Sequence, residues 1–413
     1  MLRGCDAPDG ARRPRPALEL ADIVREHGEA FRRAHALTPD QHAALRAIER
    51  CRTAVLGGHL DVCLACGRAE PSYNSCRNRH CPKCQSLAQA RWIVGRLARI
   101  LPTHYFHVVF TLPEQLRPLV RRNSRTVFDM LFAAASETLL ELGRDPEWLG
   151  AELGVTAVLH TWTRELTLHP HVHCIVTGGG LTADGTAWKS SKRDFLLPVH
   201  VMGALFRGKM CAKLRDAHDR GRLDLGPEPV DPEGMSILLH RLQRCSWVVY
   251  AKRPFGGAEH VIRYLGRYTH RIGISNQRLL SLQDGQVTFR TKDGKAMTLA
   301  AQDFLARFIQ HVLPPGFVKI RHYGLMAPSN AMTKLAVARA LLNSPPANPP
   351  AEGPAPAPST GGPVDPALPW QQLLQQLTGI DVRRCPACGE LAVVRRPLDA
   401  PKPLARAPPE VAA

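Results

Sequence analysis

Two cysteine pairs, Cys63-Leu-Ala-Cys66 and Cys81-Pro-Lys-Cys84, follow one another closely and restrict this chain more than any other feature. Each Cys-x-x-Cys turn presents two sulfurs to one point with little strain, and two such turns complete the tetrahedron that zinc prefers. The 413 residues hold 12 cysteines. Their pairing fits metal ligation in a reducing compartment better than a disulfide framework. The expected structural zinc ligands are Cys63, Cys66, Cys81 and Cys84. Cys76 and His80 between the pairs, and Cys51 and His59 upstream, are further candidates. A third pair, Cys385 and Cys388, has no second pair downstream and makes only half a ribbon.

Charge narrows the partner. Lys and Arg total 54 against 36 Asp and Glu, a formal +18 with a pI near 9.8, and only 11 of the 54 are lysine. So large an excess suits a polyanion, with nucleic acid first. Arg77, Arg79 and Lys83 make the cysteine module itself basic and are expected to touch phosphates. No apolar run approaches the ~18 residues of a membrane span. The opening stretch MLRGCDAPDGARRPRP lacks the apolar block of a secretory signal. A cytoplasmic location is expected.

The rest of the chain reads as mixed helices and strands without a regular βαβ rhythm, hence α+β. Residues 1–36 are expected to form an N-terminal arm and 37–95 the zinc-binding domain. Thr38 and Pro39 predict a helix start, with Ala44, Leu45 and Ile48 on its apolar face. Strands are expected in HYFHVVFTLP, GVTAVLHTW, HPHVHCIVTGG, CSWVVYAKRPF and, last, FVKIRHYG, with helices across 114–145. Asp-Gly steps in LQDGQVTFRTKDGKAMTL predict hairpins, and AQDFLARFIQHVL an amphipathic helix. These make a larger domain over 96–342. Ten prolines between positions 345 and 369 mark a linker (343–369) before a tail of 370–413.

Two clusters inside the larger domain carry chemistry. His171 and His173 alternate along a predicted strand, so both rings face one side, which is one way to hold a metal and equally the pattern of a half-buried strand with satisfied histidines. In AEHVIRYLGRYTHRIGI, Tyr264 and Tyr268 lie one helical turn apart, between an apolar stripe (Val261, Leu265, Ile272) and a face carrying His260, Arg263, Arg267 and Arg271. A tyrosine at such a border can offer its hydroxyl to a phosphate. Gly266 between them costs a helix roughly 1 kcal/mol against alanine, which points to a close approach or a kink.

Taken together, SCRNRHCPKCQ, HPHVHCIVTGGG and VIRYLGRYTHRIGISNQRL, in that order, resemble the two-tyrosine HUH transposases of the insertion sequence 91 family, with Val172 as the bulky residue between the two histidines. The likeness runs from about Cys51 to Leu341. It implies a central antiparallel HUH-type sheet with flanking helices, preceded by a small zinc-ribbon-like module. It also implies cleavage and joining of single-stranded DNA at element ends and target, through a 5′-phosphotyrosine, in a rolling-circle-like transposition. By the same resemblance His171 and His173 bind the catalytic Mg²⁺ or Mn²⁺, and Tyr264 and Tyr268 are the nucleophiles. His160, on the strand expected beside them, is the favoured third ligand, ahead of His169, His260 and His107. Arg263, Arg267 and Arg271 would steady phosphates. Other readings are a plasmid replication initiator or relaxase with the same chemistry, a non-catalytic zinc-ribbon DNA-binding protein, or a zinc hydrolase built on the histidines.

Overall fold

The computed structural model describes residues 16–226, 232–252, 266, 273–343, 369, 371–372, 375 and 381–398. It opens with helices α1 (Leu20–Ala34) and α2 (Pro39–Arg50). α2 starts as predicted: the Gln41 N–H donates to Thr38 Oγ1 at 3.3 Å and the Thr38 N–H donates back to Gln41 Oε1 at 2.9 Å. That reciprocal pair satisfies two orphan donors. α1 departs from the expected arm. Leu20, Ile23, Val24 and Phe31 recur at helical spacing and are all buried, so this segment belongs to a core.

A hairpin of β1 (Gly58–Cys63) and β2 (Ala69–Tyr73) follows, then α3 (Ser86–Leu97). The next elements are β3 (Tyr105–Thr111), α4 (Arg117–Arg122), α5 (Ser124–Arg144), β4 (Glu152–Trp162), β5 (Leu168–Leu181) and the short β6 (Trp188–Ser190). After them come α6 (Val199–Asp219), α7 (Pro232–Arg244), β7 (Val249–Lys252), and a meander of β8 (Leu279–Gln283), β9 (Gln286–Arg290) and β10 (Ala296–Ala300). α8 (Ala301–Ile309), β11 (Ile320–Gly324), α9 (Lys334–Asn343) and β12 (Val393–Leu398) complete the described elements. β11 is therefore not the last strand: β12, from the tail, pairs antiparallel with β1.

The main sheet is antiparallel in the order β11-β4-β5-β3-β7, with β6 on the far end of β5. Alternation assigns its faces. Val172, Cys174 and Val176 of β5, Phe106, Val108 and Phe110 of β3, and Val155, Ala157 and Leu159 of β4 form one buried layer. α5 (Phe128, Leu131, Phe132) and α6 (Met202, Phe206, Met210) cover it. The odd-numbered residues of β5 face the other way. A second core joins α1 and α2 to Leu166, Ile274, Phe289, Phe304 and Phe308, with Cys51 and Cys81 inside it. Packing thus continues across the boundary expected near residue 95.

Two histidines of this region are held neutral. His80 Nε2 accepts the Leu313 N–H at 3.1 Å, so its proton sits on Nδ1, which donates to Asn78 Oδ1 at 3.0 Å. His311 Nε2 donates to the Leu166 carbonyl at 3.1 Å. Burial brings His80 down to about 3 and His311 to about 4. An unfolded histidine takes its proton near pH 6.5, so between that pH and about 4 the unfolded chain binds more protons. Stability is then complete above about pH 6.5 and falls as the pH drops, by ~1.4 kcal/mol per unit for each such histidine. Urea midpoints at about pH 7 and about pH 5 should show that loss, and His311→Gln should reduce it by one histidine's share. An unchanged midpoint in the parent would contradict the assignment.

Candidate active site

The face of β5 opposite the α5/α6 core carries His171 and His173. In the ladder His160 of β4 lies directly opposite His171, and Val158 opposite His173. A nitrogen of each of His160, His171 and His173 lies within 4.8 Å of the others. Ring centroids are 5.4 Å apart for His160 and His171, 4.3 Å for His160 and His173, and 4.8 Å for His171 and His173. Strand spacing causes this clustering, since alternate residues and their cross-strand neighbours stand ~5–7 Å apart on one face. The structure thus brings together the two motif histidines and the favoured third.

Burial pushes His171 down to about 4 and holds His160 and His173 well below the ordinary histidine range. Neutral imidazoles offer lone pairs rather than protons, which is the state a metal ligand needs. Two of the rings are also oriented. His171 Nδ1 donates to the His169 carbonyl at 2.6 Å, leaving Nε2 as its lone-pair nitrogen. His173 Nδ1 lies 2.7 Å from Nε2 of His107 on β3, with the rings stacked at 5.0 Å and 11°. If His173 donates there, its Nε2 is likewise free to ligate. His169 and His107 therefore act as supports to the cluster.

This donor set fits a divalent cation. Among the described residues no carboxylate joins it. Three imidazoles suit a transition ion better than Mg²⁺, which demands oxygen ligands and keeps its waters. Of the two expected cations, Mn²⁺ is the better match. Replacing His107 by alanine removes the partner that orients His173 and should weaken Mn²⁺ binding by about 10–100-fold. Calorimetric titration would measure it, and unchanged affinity would reduce His107 to packing.

Tyr264 and Tyr268, with His260, Arg263, Arg267 and Arg271, lie outside the described residues. Gly266 between the tyrosines is described: it is helical and buried. A Cβ there would fall 2.4 Å from Ile93 Cγ1 of α3, so only glycine permits this approach. α3 packs through Trp92, Ile93 and Leu97 against the apolar cluster that contains Tyr105 and Ile175. Ile175 shares the face of His171 and His173, and Gly266 is therefore held on the histidine side of the sheet.

The basic residues of the cysteine module differ in their surroundings. Arg77 is exposed. Arg79 donates to the Phe317 carbonyl at 2.7 Å, and Lys83 is paired with Glu19 at the start of α1. The last two are spent on internal contacts, which burial of their charges requires. Tyr323, on β11, packs against the main core.

The single tetrad expected from the two N-terminal pairs is replaced by two tetrads. Cys81 and Cys84 meet Cys51 and Cys76, with Sγ–Sγ distances of 3.1 Å (Cys51–Cys84) and 3.4 Å (Cys76–Cys84). Cys63 and Cys66 instead meet Cys385 and Cys388. The reason is directional. β1 and β2 carry Cys63 and Cys66 away from the α1/α2 core, whereas Cys51 ends α2 and is buried in that core beside Cys81. His80 is no ligand, because both its nitrogens are engaged. Of the further candidates, Cys51 and Cys76 join this tetrad and His80 and His59 do not.

Residues 23–112 match a family model described as "Transposase zinc-binding domain", and residues 154–334 one described as "Putative transposase". "Putative transposase y4qJ" of Sinorhizobium fredii is 45% identical over 385 residues, covering 91% of this chain and 94% of that protein. The chain belongs to the insertion sequence 91 family of transposases. The transposase is also 30% identical, over 67% of its length and 68% of the relative's, to the transposase for insertion sequence element IS801 of Pseudomonas savastanoi pv. phaseolicola. Among solved structures, the conjugative relaxase TrwC in a metal-bound complex with oriT DNA covers 40% of the transposase and 70% of its own chain. It does so at 14% identity and a TM-score of 0.22.

Proposed function

We propose that this transposase nicks and rejoins single-stranded DNA through a covalent 5′-phosphotyrosine, moving its element by a rolling-circle-like route. The observation that carries the reading is the half-buried cluster of His160, His171 and His173, with Gly266 of the tyrosine segment on the same side of the sheet. A divalent cation bound by those imidazoles would draw charge from a non-bridging oxygen of the scissile phosphate. The phenol oxygen of Tyr264 or Tyr268 attacks phosphorus in line, a P–O bond to Tyr forms, and the P–O3′ bond breaks. The phenolic proton is lost to solvent and the departing 3′ oxygen gains one, so the products are a 5′-phosphotyrosine and a free 3′-hydroxyl. The new ester keeps the energy of the old one, and rejoining by a 3′-hydroxyl needs no nucleotide cofactor. A second tyrosine can accept another strand end while the first is occupied, and Arg263, Arg267 and Arg271 would neutralise nearby phosphates.

The test is incubation of labelled single-stranded element ends with the transposase and Mn²⁺, followed by mass spectrometry of DNA-linked peptides. Adducts should map to 264 or 268 and disappear in the Tyr264→Phe, Tyr268→Phe double variant. Adducts that persist there would reject the assignment of the nucleophiles.

A further inference from the structure

We propose that Cys63, Cys66, Cys385 and Cys388 form a second structural zinc site, a clasp that fastens the tail of the transposase onto its N-terminal module. The two pairs are 319 residues or more apart in sequence, yet Cys63 Sγ lies 3.6 Å from Cys388 Sγ, and Cys66 Sγ 3.7 Å from Cys385 Sγ. Four sulfurs at about 2.3 Å from one zinc stand roughly 3.8 Å from each other. A disulfide would need about 2.05 Å.

The two halves are built alike. Cys63-Leu-Ala-Cys66-Gly67-Arg68 and Cys385-Pro-Ala-Cys388-Gly389-Glu390 share the same spacing and the same glycine. In the first, the Cys63 N–H donates to the Arg68 carbonyl and the Gly67 N–H to the Cys63 carbonyl, at 2.8 and 2.9 Å. In the second, the Cys385 N–H donates to the Glu390 carbonyl and the Gly389 N–H to the Cys385 carbonyl, again at 2.8 and 2.9 Å. Gly67 and Gly389 both take a positive φ, in the left-handed region that favours glycine. The Ala387 N–H also points at Cys385 Sγ, at 3.4 Å. Matching turns facing each other make a four-thiolate cage rather than a chance meeting of thiols.

The surrounding strands reinforce the clasp. β12 pairs with β1 from Gly58↔Leu398 to Cys63↔Val393, and the Leu64 N–H donates to the Ala392 carbonyl at 2.9 Å. Arg395 forks onto the Asp61 carboxylate opposite it, at 2.7 and 3.1 Å. Each thiol that ligates gives its proton to solvent, and the metal then joins the turn that follows β1 to the turn that precedes β12.

Zinc content of the purified, reduced full-length chain tests this directly. With the imidazole site removed by His160→Ala, His171→Ala and His173→Ala, this parent should hold two zinc ions per chain, and its Cys385→Ser, Cys388→Ser variant one. Cobalt substitution should show the same halving in the thiolate-to-metal absorption. A parent holding one ion, or a variant still holding two, would overturn the site. Should the variant fold poorly, a protease site placed in the linker of the parent gives a second readout. After cleavage, the tail fragment should co-elute with the remainder when zinc is present and separate when a chelator removes it. Retention of the fragment unaffected by metal removal would overturn the clasp.

Discussion

Replacing His160 by alanine is expected to lower single-strand nicking about a thousandfold, while the protein stays folded. His160 closes the three-imidazole set opposite His171 in the β4/β5 ladder. Stabilisation of transition-state charge by a bound cation is worth several kcal/mol, and each ~1.4 kcal/mol is tenfold in rate. Leu159 and Val172, which build the apolar layer under α5 and α6, point to the opposite face of the sheet, and the His160 ring stacks on Trp162 at 5.0 Å, a contact that alanine forfeits without opening that layer. Truncation should therefore cost little cooperativity. Nicking rates over a Mn²⁺ titration, with thermal unfolding measured alongside, decide the matter. A variant that nicks at the parental rate at every metal concentration would remove His160 from the site. One that regains activity only at high Mn²⁺ would place its effect on binding.

The second large effect concerns the first cysteine tetrad. Structural zinc in small modules is bound with about 10–16 kcal/mol of free energy, as much as the whole stability of a domain. Cys51 and Cys81 lie inside the core shared by α1, α2, β9 and α8. Removing the metal leaves their thiols, with Cys76 and Cys84, crowded without a charge to hold them. The Cys51→Ser, Cys84→Ser variant should lose amide protection across Leu20–Arg50 and across the β8–β10 meander with α8 together. β3, β4, β5 and α5, whose core is separate, should keep theirs. Hydrogen exchange read by mass spectrometry distinguishes this pattern from two alternatives: loss confined to the cysteine turns, or collapse of the whole chain. Either of those would refute the shared-core account.

Local order was well written in the chain. The helix start at Thr38 and Pro39, the Asp-Gly hairpins, the strand with alternating histidines and the amphipathic α8 depend on dihedral preference and on residue period, which neighbours in sequence express. The histidine site was legible for the same reason, because alternation on one strand needs no knowledge of other elements, and His160 required only the guess that β4 pairs with β5. α1 carried a readable pattern too, in Leu20, Ile23, Val24 and Phe31, but its charged outer face resembles that of a solvated arm.

What only the tertiary structure decided is partnership at a distance. A Cys-x-x-Cys turn determines that two sulfurs converge, and says nothing of which other two arrive. Strand direction sent Cys63 and Cys66 to a tail more than three hundred residues away, while burial at the end of α2 gave Cys51 to Cys81 and Cys84. The same holds for charge: the sequence marks Arg79 and Lys83 as basic, and only packing sets the Phe317 carbonyl and Glu19 beside them. Sequence by itself determined the chemistry of each local device, because covalent geometry and dihedral preference act over a few residues. The pairing of those devices waited on the packing of the cores.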